Sequence, residues 1–183
     1  MTVRLWLARH GSTAWSEARR YTGWTDLPLS ERGMKEAEAL AWLSQRRWTG
    51  IWASDLQRAR ATAELVGVAA TVDRRLREID FGTMEGKMWH ELDAGTQEAV
   101  ASFDGFAPPG GESVAELMVR LEDFIGGLAP GDHLVITHGG VIRALVRTAG
   151  EDHHPRPGEV MIIEVDGTSR KHLEPPEVDN GGS

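Results

Sequence analysis

Short apolar segments recur along the chain and alternate with longer amphipathic ones. Nearly continuous apolar runs occupy residues 3–8, 51–53, 133–137 and 160–165, and residues 71–72 form a weaker one. Runs of this length without polar alternation are typical of strands that are covered on both faces. We therefore predict five strands and take the one at 160–165 as the last.

Segments with a helical spacing of apolar residues lie between these strands. Ser30 is a candidate N-cap for the first of them, because its hydroxyl can accept a hydrogen bond from the first turn. The alternation of strands and helices predicts an α/β fold, a three-layer α/β/α sandwich with a mostly parallel central sheet. The helices are predicted at residues 34–46, 56–66, 89–103, 112–128 and 141–149.

The pattern breaks in a few places only. Residues 11–29 look irregular, and residues 107–111 contain two Pro and two Gly. The chain has 183 residues and no internal repeat or linker, so we expect a single domain over residues 1–174. The Pro- and Gly-rich stretch 175–183 is expected to be an unfolded C-terminal tail.

Composition narrows the choice of partner. Lys and Arg number 20 against 28 Asp and Glu, which gives a formal net charge of −8. General nucleic-acid binders and anionic-membrane binders carry the opposite sign. We therefore expect a small-molecule partner, no nucleic acid and no membrane, with a local cluster of cations for any anion that binds.

The chain contains no cysteine, which excludes disulfides, thiolate nucleophiles and Cys-based metal sites. No apolar stretch approaches the ~18 residues that span a bilayer. The first strand begins too early to leave room for an export signal. We expect a soluble cytoplasmic protein, either a monomer or a homodimer.

The residues with the most reactive side chains follow the predicted strands. Arg9 and His10 end the first strand, Arg58 lies one turn into the helix after the second, and His138 ends the strand at 133–137. In open α/β sheets ligands bind outside the carboxyl ends of the strands. Two guanidiniums offer planar forks of donors that suit a phosphoryl group. We therefore predict a phosphate site at this edge.

An imidazole can also attack phosphorus through one ring nitrogen and form a phosphohistidine, which divides a hydrolysis into two displacements. A glycine beside each His lets the backbone come close and present N–H groups at a helix start. The leaving alkoxide needs a proton, so a carboxylic acid should stand nearby. Glu78, Asp80 and Glu85 are the candidates.

Six ordered blocks of residues resemble the histidine phosphatase superfamily, in the branch of the cofactor-dependent phosphoglycerate mutases. The similarity runs over about residues 3–149. The blocks are Arg9-His10-Gly11; Gly23 with Asp26 and Pro28-Leu29; Ser54-Asp55-Leu56 with Arg58-Ala59 and Thr62-Ala63; Glu78 with Phe81-Gly82 and Glu85-Gly86; Gly111-Glu112-Ser113; and Thr137-His138-Gly139-Gly140.

The resemblance implies a phosphoglycerate mutase-like fold and a role for each matched residue. His10 would be the phosphorylated nucleophile, and Arg9, Arg58 and His138 would hold the phosphoryl group. Glu78 would be the acid and base, with Glu85 as the alternative. The substrate would also contact Ser16, Thr22, Gly23 and Gly139.

The chain departs from the family pattern at two positions. Many members have Glu or Asp after the glycine of the first block, and Asn where this chain has Ser16. Here Ser12 follows Gly11, so the phosphate pocket would hold one side-chain amide fewer.

The sequence favours hydrolysis over mutase activity. A mutase must hold a second anionic group, and family mutases carry a longer insertion with cations above the site. Residues 88–119 contain no Lys or Arg. Arg19 and Arg20 favour a mutase instead, since a nearby loop can bring them to a second phosphate.

The length and the blocks around residues 76–82 and 109–113 look most like small bacterial α-ribazole-5′-phosphate phosphatases of cobalamin synthesis, and broad-specificity phosphatases share these features. We therefore predict a metal-independent phosphomonoesterase of the histidine acid type, with no cofactor. The alternatives are a phosphoglycerate mutase and a non-catalytic protein that binds a phosphorylated ligand. Some aromatic side chains could contact a leaving group, although such residues more often lie in the core. These are Trp24, Trp89, Phe103 and Phe106.

Overall fold

A computed structural model describes residues 2–176 of the chain and contains one six-stranded sheet. The order of the strands across the sheet is β3-β2-β4-β1-β5-β6, so β4 and β1 are central. The strands are β1 (Val3–Arg9), β2 (Gly50–Ala53), β3 (Thr71–Val72), β4 (Gly131–Thr137), β5 (Val160–Asp166) and β6 (Ser169–Leu173).

The four strands from β3 to β1 are parallel, and β5 and β6 add two antiparallel pairings at one side. The predicted mostly parallel sheet is confirmed. In the register of β1 with β4, Arg9 lies opposite Thr137. The residues that follow these two strands, His10 and His138, are therefore neighbours at one edge of the sheet.

Helices cover both faces of this sheet. Successive residues of β1 point to opposite faces, so Leu5 and Leu7 join one core and Trp6 and Ala8 the other. The predicted three-layer α/β/α architecture is confirmed. The helices are α1 (Ala14–Glu17), α2 (Glu31–Glu38), α3 (Gln57–Val66), α4 (Ala94–Ser102), α5 (Val114–Gly126) and α6 (Gly139–Arg147).

Each core has its own helices. Helices α5 and α6 contribute Leu117, Leu121 and Leu145 to the core that contains Leu5. Helix α3 contributes Ala59, Ala63 and Val66 to the core that contains Trp6.

Three expectations from the sequence need correction. The strand at 160–165 is not the last, because β6 pairs with it in antiparallel fashion. The helix expected at 89–103 is divided by Asp93, whose side chain caps α4 at the Thr96 amide, and only a 3-10 turn precedes it. The helix expected at 34–46 starts earlier, at Glu31, where Ser30 is its N-cap as predicted, and it changes to a 3-10 turn beyond Glu38.

Of the predicted unfolded tail, residues 177–183 lie outside the described residues. In that part of the chain which the structure describes, no helix has both the length and the apolar character needed to cross a membrane.

The loop after β1 packs directly on α2 through two glycines. A Cβ on Gly33 would overlap the carbonyl oxygen of Ser12, and a Cβ on Gly11 would overlap the carbonyl oxygen of Gly33. The Ser12 carbonyl also accepts a hydrogen bond from the Ser30 amide at 2.9 Å. The backbone beside His10 is therefore held by contacts that exclude any side chain at these two positions.

We predict that Gly33→Ala lowers the free energy of unfolding by about 2 kcal/mol or more, because the added methyl group meets backbone rather than a mobile side chain. The matched control is Gly126→Ala, since a Cβ there has no atom within 4 Å. That variant should be as stable as the parent or gain about 0.5 kcal/mol from helix propensity. Urea unfolding measures both, and equal stabilities of the two variants would contradict the packing argument.

Candidate active site

The two histidines from the strand ends meet at the carboxyl edge of the sheet. The ring centroids of His10 and His138 are 5.0 Å apart, with an angle of 64° between the rings. His10, Arg9 and Glu78 line a cavity of about 550 Å³. The predicted convergence of residues from separate segments at one edge is present.

His10 has one defined tautomer. Its Nδ1 lies 2.6 Å from the carbonyl oxygen of Gly11. A carbonyl can only accept a hydrogen bond, so Nδ1 carries the proton and Nε2 keeps its lone pair. Burial, with the nearby Arg58 and Arg9 cations, lowers the pKa of His10 well below its usual value. The ring is therefore neutral and its Nε2 is available as a nucleophile.

His138 has the opposite tautomer. Nε of Arg58, which is always protonated, donates to Nδ1 of His138 at 3.3 Å, so the ring proton lies on Nε2. That Nε2 is buried and has no hydrogen-bond partner among residues 2–176. Burial, followed by the Arg58 charge, lowers the pKa of His138 well below its usual value. A neutral ring thus offers a single N–H donor that needs an acceptor.

Arg58 is fully buried and is fixed by the loop before α2. Its two terminal nitrogens donate to the carbonyl oxygens of Thr25, at 3.0 Å, and Gly23, at 2.7 Å. Burial lowers the pKa of Arg58. Neither Arg58 nor His138 belongs to the cavity lining; the His138 ring lies edge-on to His10, and Arg58 is bonded to His138.

Arg9 provides a second donor without an acceptor. Its Nη1 donates to the carbonyl oxygen of Pro155 at 2.5 Å, whereas its buried Nε has no partner within the described part of the chain. A Cβ on Gly139 would lie 3.2 Å from the guanidinium carbon of Arg9. Gly139 therefore allows Arg9 to pack across the first turn of α6.

The two candidate carboxylates have different surroundings. Glu78 is buried beside the cavity, and its oxygens accept from the amides of Ile79 at 2.9 Å and Gly140 at 3.0 Å. Glu85 accepts from the amides of Trp24 and Thr25, at 2.7 and 2.9 Å, and from the Thr25 hydroxyl. Only Glu78 of the two lines the cavity.

The remaining predicted binding residues divide into two groups. Ser16, Thr22 and Gly139 line the cavity, whereas Gly23 is buried and acts through its carbonyl bond to Arg58. The Ser16 hydroxyl already donates to the Thr13 carbonyl at 3.0 Å and accepts from the Thr13 amide at 2.8 Å. The second of these bonds, with the donation from the Ser16 amide to the Thr13 hydroxyl at 3.2 Å, forms a capping box at α1. The Ser16 hydroxyl is therefore only partly free for a ligand.

Gly11 does not present its amide to the cavity as the sequence suggested. That amide donates to the hydroxyl of Thr62 at 3.2 Å. Thr62 in turn donates to the Arg58 carbonyl at 2.8 Å and so connects the His10 loop to α3. The reason for glycine at position 11 is its close approach to Gly33.

The outer wall of the cavity is mainly apolar. Trp89, Phe103 and Phe106 belong to it, which was the less favoured interpretation of the sequence, and Phe103 and Phe106 are also part of a core. Trp24 lies outside the cavity, under Arg77. Phe81 belongs to one of the six sequence blocks but was not predicted to line the cavity. No sequence pattern pointed to Tyr21, whose ring contacts Phe81, or to Arg143. The remaining residues of the wall and rim are Val100, Ala101, Arg19, Arg20 and His154.

No group of three or more His, Cys, Asp or Glu side chains within residues 2–176 is arranged to hold a metal ion.

Comparison with known proteins agrees with this geometry. The model of the histidine phosphatase superfamily (branch 1) matches residues 5–176. Phosphoglycerate mutase-like protein 4 of Arabidopsis thaliana is 33% identical over 159 residues, which are 78% of this chain and 69% of that protein.

Two solved structures share the whole architecture. A phosphoglycerate mutase from Thermus thermophilus superposes with a TM-score of 0.84 at 42% identity, over 96% of this chain and 99% of that one. A structure named "putative alpha-ribazole-5'-P phosphatase" from Escherichia coli has a TM-score of 0.78 at 27% identity, over 93% and 94% of the two chains. The sequence blocks, the paired histidines and the family match together place this chain in the histidine phosphatase superfamily, branch 1.

Proposed function

We propose that this protein is a phosphomonoesterase that hydrolyses a small phosphorylated metabolite through a phosphohistidine on His10. The observation that carries the proposal is the fixed tautomer of His10, whose Nδ1 is bound by the Gly11 carbonyl at 2.6 Å while Nε2 keeps its lone pair. Two buried donors without acceptors among residues 2–176, Arg9 Nε and His138 Nε2, belong to the same site. A phosphoryl group supplies the acceptor oxygens that they lack.

In the first step Nε2 of His10 attacks phosphorus, a P–N bond forms and the P–O bond to the leaving group breaks. Arg9 Nε and His138 Nε2, the two donors without acceptors, bind the phosphoryl oxygens. Arg58, whose nitrogens donate to His138, Thr25 and Gly23, supplies positive charge from outside the cavity lining. The departing alkoxide takes a proton from Glu78, which lies beside the cavity and is fixed by the amides of Ile79 and Gly140.

In the second step water attacks phosphorus, and the P–N bond breaks to return the neutral His10. The water gives its proton to Glu78, so the carboxylic acid is restored for the next cycle. Because the Nδ1 proton of His10 stays bound to the Gly11 carbonyl, the ring keeps one orientation through both steps.

A phosphoglycerate mutase is the second candidate. Arg19 and Arg20 line the cavity, and relatives carry that name. The apolar wall and the absence of Lys and Arg from residues 88–119 favour hydrolysis, because a mutase must bind a second anionic group and exclude water between transfers.

For the substrate we propose α-ribazole 5′-phosphate, a phosphomonoester of cobalamin biosynthesis, on two grounds. A structural relative carries the name of that phosphatase activity. The wall that includes Phe103 and Phe106 also suits an aromatic group. The cysteine-free composition fits a reducing compartment, and the cytoplasm is the location we propose, with the protein acting as a monomer or homodimer without metal or cofactor.

The purified protein should release inorganic phosphate from α-ribazole 5′-phosphate and aryl phosphates in the presence of a chelator. His10→Ala should lower kcat/KM at least about 1,000-fold, because the nucleophile is lost. A variant that still turns over near the parental rate would remove His10 as nucleophile. If the parent protein binds the phosphate esters but releases no inorganic phosphate from them, it is instead a non-catalytic binding protein.

The same preparation decides between hydrolysis and mutase activity. Isomerisation of 3-phosphoglycerate is measured with and without 2,3-bisphosphoglycerate, beside phosphate release from the same ester. Isomerisation faster than phosphate release would favour the mutase.

Glu78→Gln should impair esters in proportion to how poor their leaving group is. For an alkyl phosphate kcat/KM should fall about 100-fold or more, and for p-nitrophenyl phosphate much less, because nitrophenolate leaves without a proton. Glu85→Gln is the control, since its carboxylate holds the loop at Trp24 and Thr25. It should affect both esters alike. A dependence on the leaving group in the Glu85 variant alone would reverse the assignment.

The lowered pKa of His10 predicts that its ring stays neutral in mildly acidic solution. A depressed pKa means that the proton is taken up only below the ordinary value of about 6.5. Nitrogen-15 NMR of the ligand-free protein should therefore show His10 unprotonated at Nε2 at pH 6. A titration midpoint of 6.5 or above would contradict the electrostatic argument.

A further inference from the structure

Arg143 places a cationic side chain in the wall of the cavity, one turn into α6 after Gly139. It is buried, with 4% of its surface exposed, and it belongs to the cavity lining. Its guanidinium carbon lies 4.4 Å from the centre of the Phe103 ring. No part of the proposed hydrolytic chemistry uses this residue.

Four hydrogen bonds occupy the Arg143 guanidinium. Its Nε and Nη2 donate to the two oxygens of Asp152 at 2.7 and 3.0 Å. Its Nη1 and Nη2 also donate to the carbonyls of Val100 and Ala101 at 3.0 and 2.8 Å. A guanidinium has five N–H donors, so one remains. Arg143 thus connects the end of α4 to the loop after α6.

The charge of the buried Arg143 is compensated by Asp152, whose own side chain is 42% exposed. Asp152 also accepts from Arg147 at 2.6 Å, and Arg147 pairs with Asp104 at 2.6 Å. Two arginines and two aspartates together carry no net charge. The Arg143 guanidinium lowers the pKa of Asp152 to about 2, so this carboxylate is ionised in any ordinary assay.

We propose that Asp152 determines specificity: by pairing with Arg143 it neutralises the cation that lies beside the Phe103 ring, and it thereby selects phosphomonoesters with an uncharged leaving group over those that carry a second anion. The proposal deepens the phosphatase function and rests on it. It names the chemical class of the substrate's second half, an uncharged and largely apolar group beside the Phe103 ring.

The burial of Arg143 makes its pairing with Asp152 more decisive than the cations at the rim. Arg19 is exposed, and Nη1 of Arg20 donates to the Gly86 carbonyl at 2.6 Å. Charges in contact with water are screened, whereas an uncompensated guanidinium in the wall would act on a bound anion through a much lower dielectric. The neutralisation of Arg143 therefore affects the preference of the site for uncharged over anionic leaving groups more than the rim residues do.

The test compares two esters that differ only by one carboxylate on the ring, phenyl phosphate and 4-carboxyphenyl phosphate. Asp152→Asn leaves Arg143 unpaired, so the ratio of kcat/KM for the carboxylated ester to that for phenyl phosphate should rise about tenfold. Arg143→Gln leaves Asp152 in excess, so the same ratio should fall. The double variant should return to the parental ratio.

Asp104→Asn is the matched control. Asp104 belongs to the same network but pairs with Arg147, which does not line the cavity. The ratio should stay within about twofold of the parent, because surface ion pairs contribute little. Opposite changes in the two single variants cannot come from a loosened wall, which would move both ratios in one direction.

A binding measurement separates this inference from the hydrolytic function. Phenylphosphonate and 4-carboxyphenylphosphonate cannot be hydrolysed, and each should raise the unfolding temperature. The carboxylated ligand should raise the unfolding temperature of Asp152→Asn more than that of the parent, and that of Arg143→Gln less.

Each failure has its own signature. Absence of phosphate release from both esters would overturn the proposed function, while the phosphonate data would still decide the role of Asp152. Unchanged ratios, or shifts of equal sign in the two single variants, would overturn the role of Asp152 and leave the hydrolysis untouched. If Asp152→Asn does not fold, the Arg143→Gln arm decides alone, with an unchanged or raised ratio as the contradicting result.

Discussion

The site depends on burying hydrogen-bond donors that the protein itself does not satisfy. Nε of Arg9 and Nε2 of His138 are both buried at the carboxyl edge of the sheet, and neither finds an acceptor among residues 2–176. An unpaired buried donor costs about 1–3 kcal/mol, which the apolar cores on the two faces of the sheet must offset. In the proposed function, a phosphoryl group removes that cost by accepting both bonds.

Two neighbouring histidines receive different roles from two fixed partners. The Gly11 carbonyl makes Nδ1 of His10 a donor, and the Arg58 guanidinium makes Nδ1 of His138 an acceptor. One ring therefore presents a lone pair at Nε2 and the other an N–H at Nε2. Burial and the adjacent guanidiniums lower the pKa of both rings, so the positive charge of the site resides on Arg9 and Arg58. This division gives a nucleophile next to a donor without repulsion between two imidazolium ions.

The sequence predicted what is local and missed what distant segments assemble. The apolar strands that end at His10 and His138 can be predicted because each motif lies within a few residues. The parallel register of the two strands then brings the two histidines together. Strand β6 is short and mostly polar, so only its pairing with β5 defines it. Arg143 looks like a surface residue of an amphipathic helix. Its burial results from the Val100 and Ala101 carbonyls, more than 40 positions away, which no local pattern reveals.

The floor and the wall of the cavity carry different information. In the proposed mechanism the floor, formed by His10 and the nearby guanidiniums, acts on the phosphoryl group that all phosphomonoesters have in common. Discrimination among substrates would then come from the wall, where the Phe103 ring packs on the buried Arg143 that Asp152 neutralises. Burial of an apolar leaving group against an apolar surface is favourable. A second anion would lose its hydration without gaining an ion pair, because the charge of Arg143 is already compensated. The proposed hydrolysis of an ester with an uncharged leaving group therefore gives a role to both the floor and the wall of the cavity.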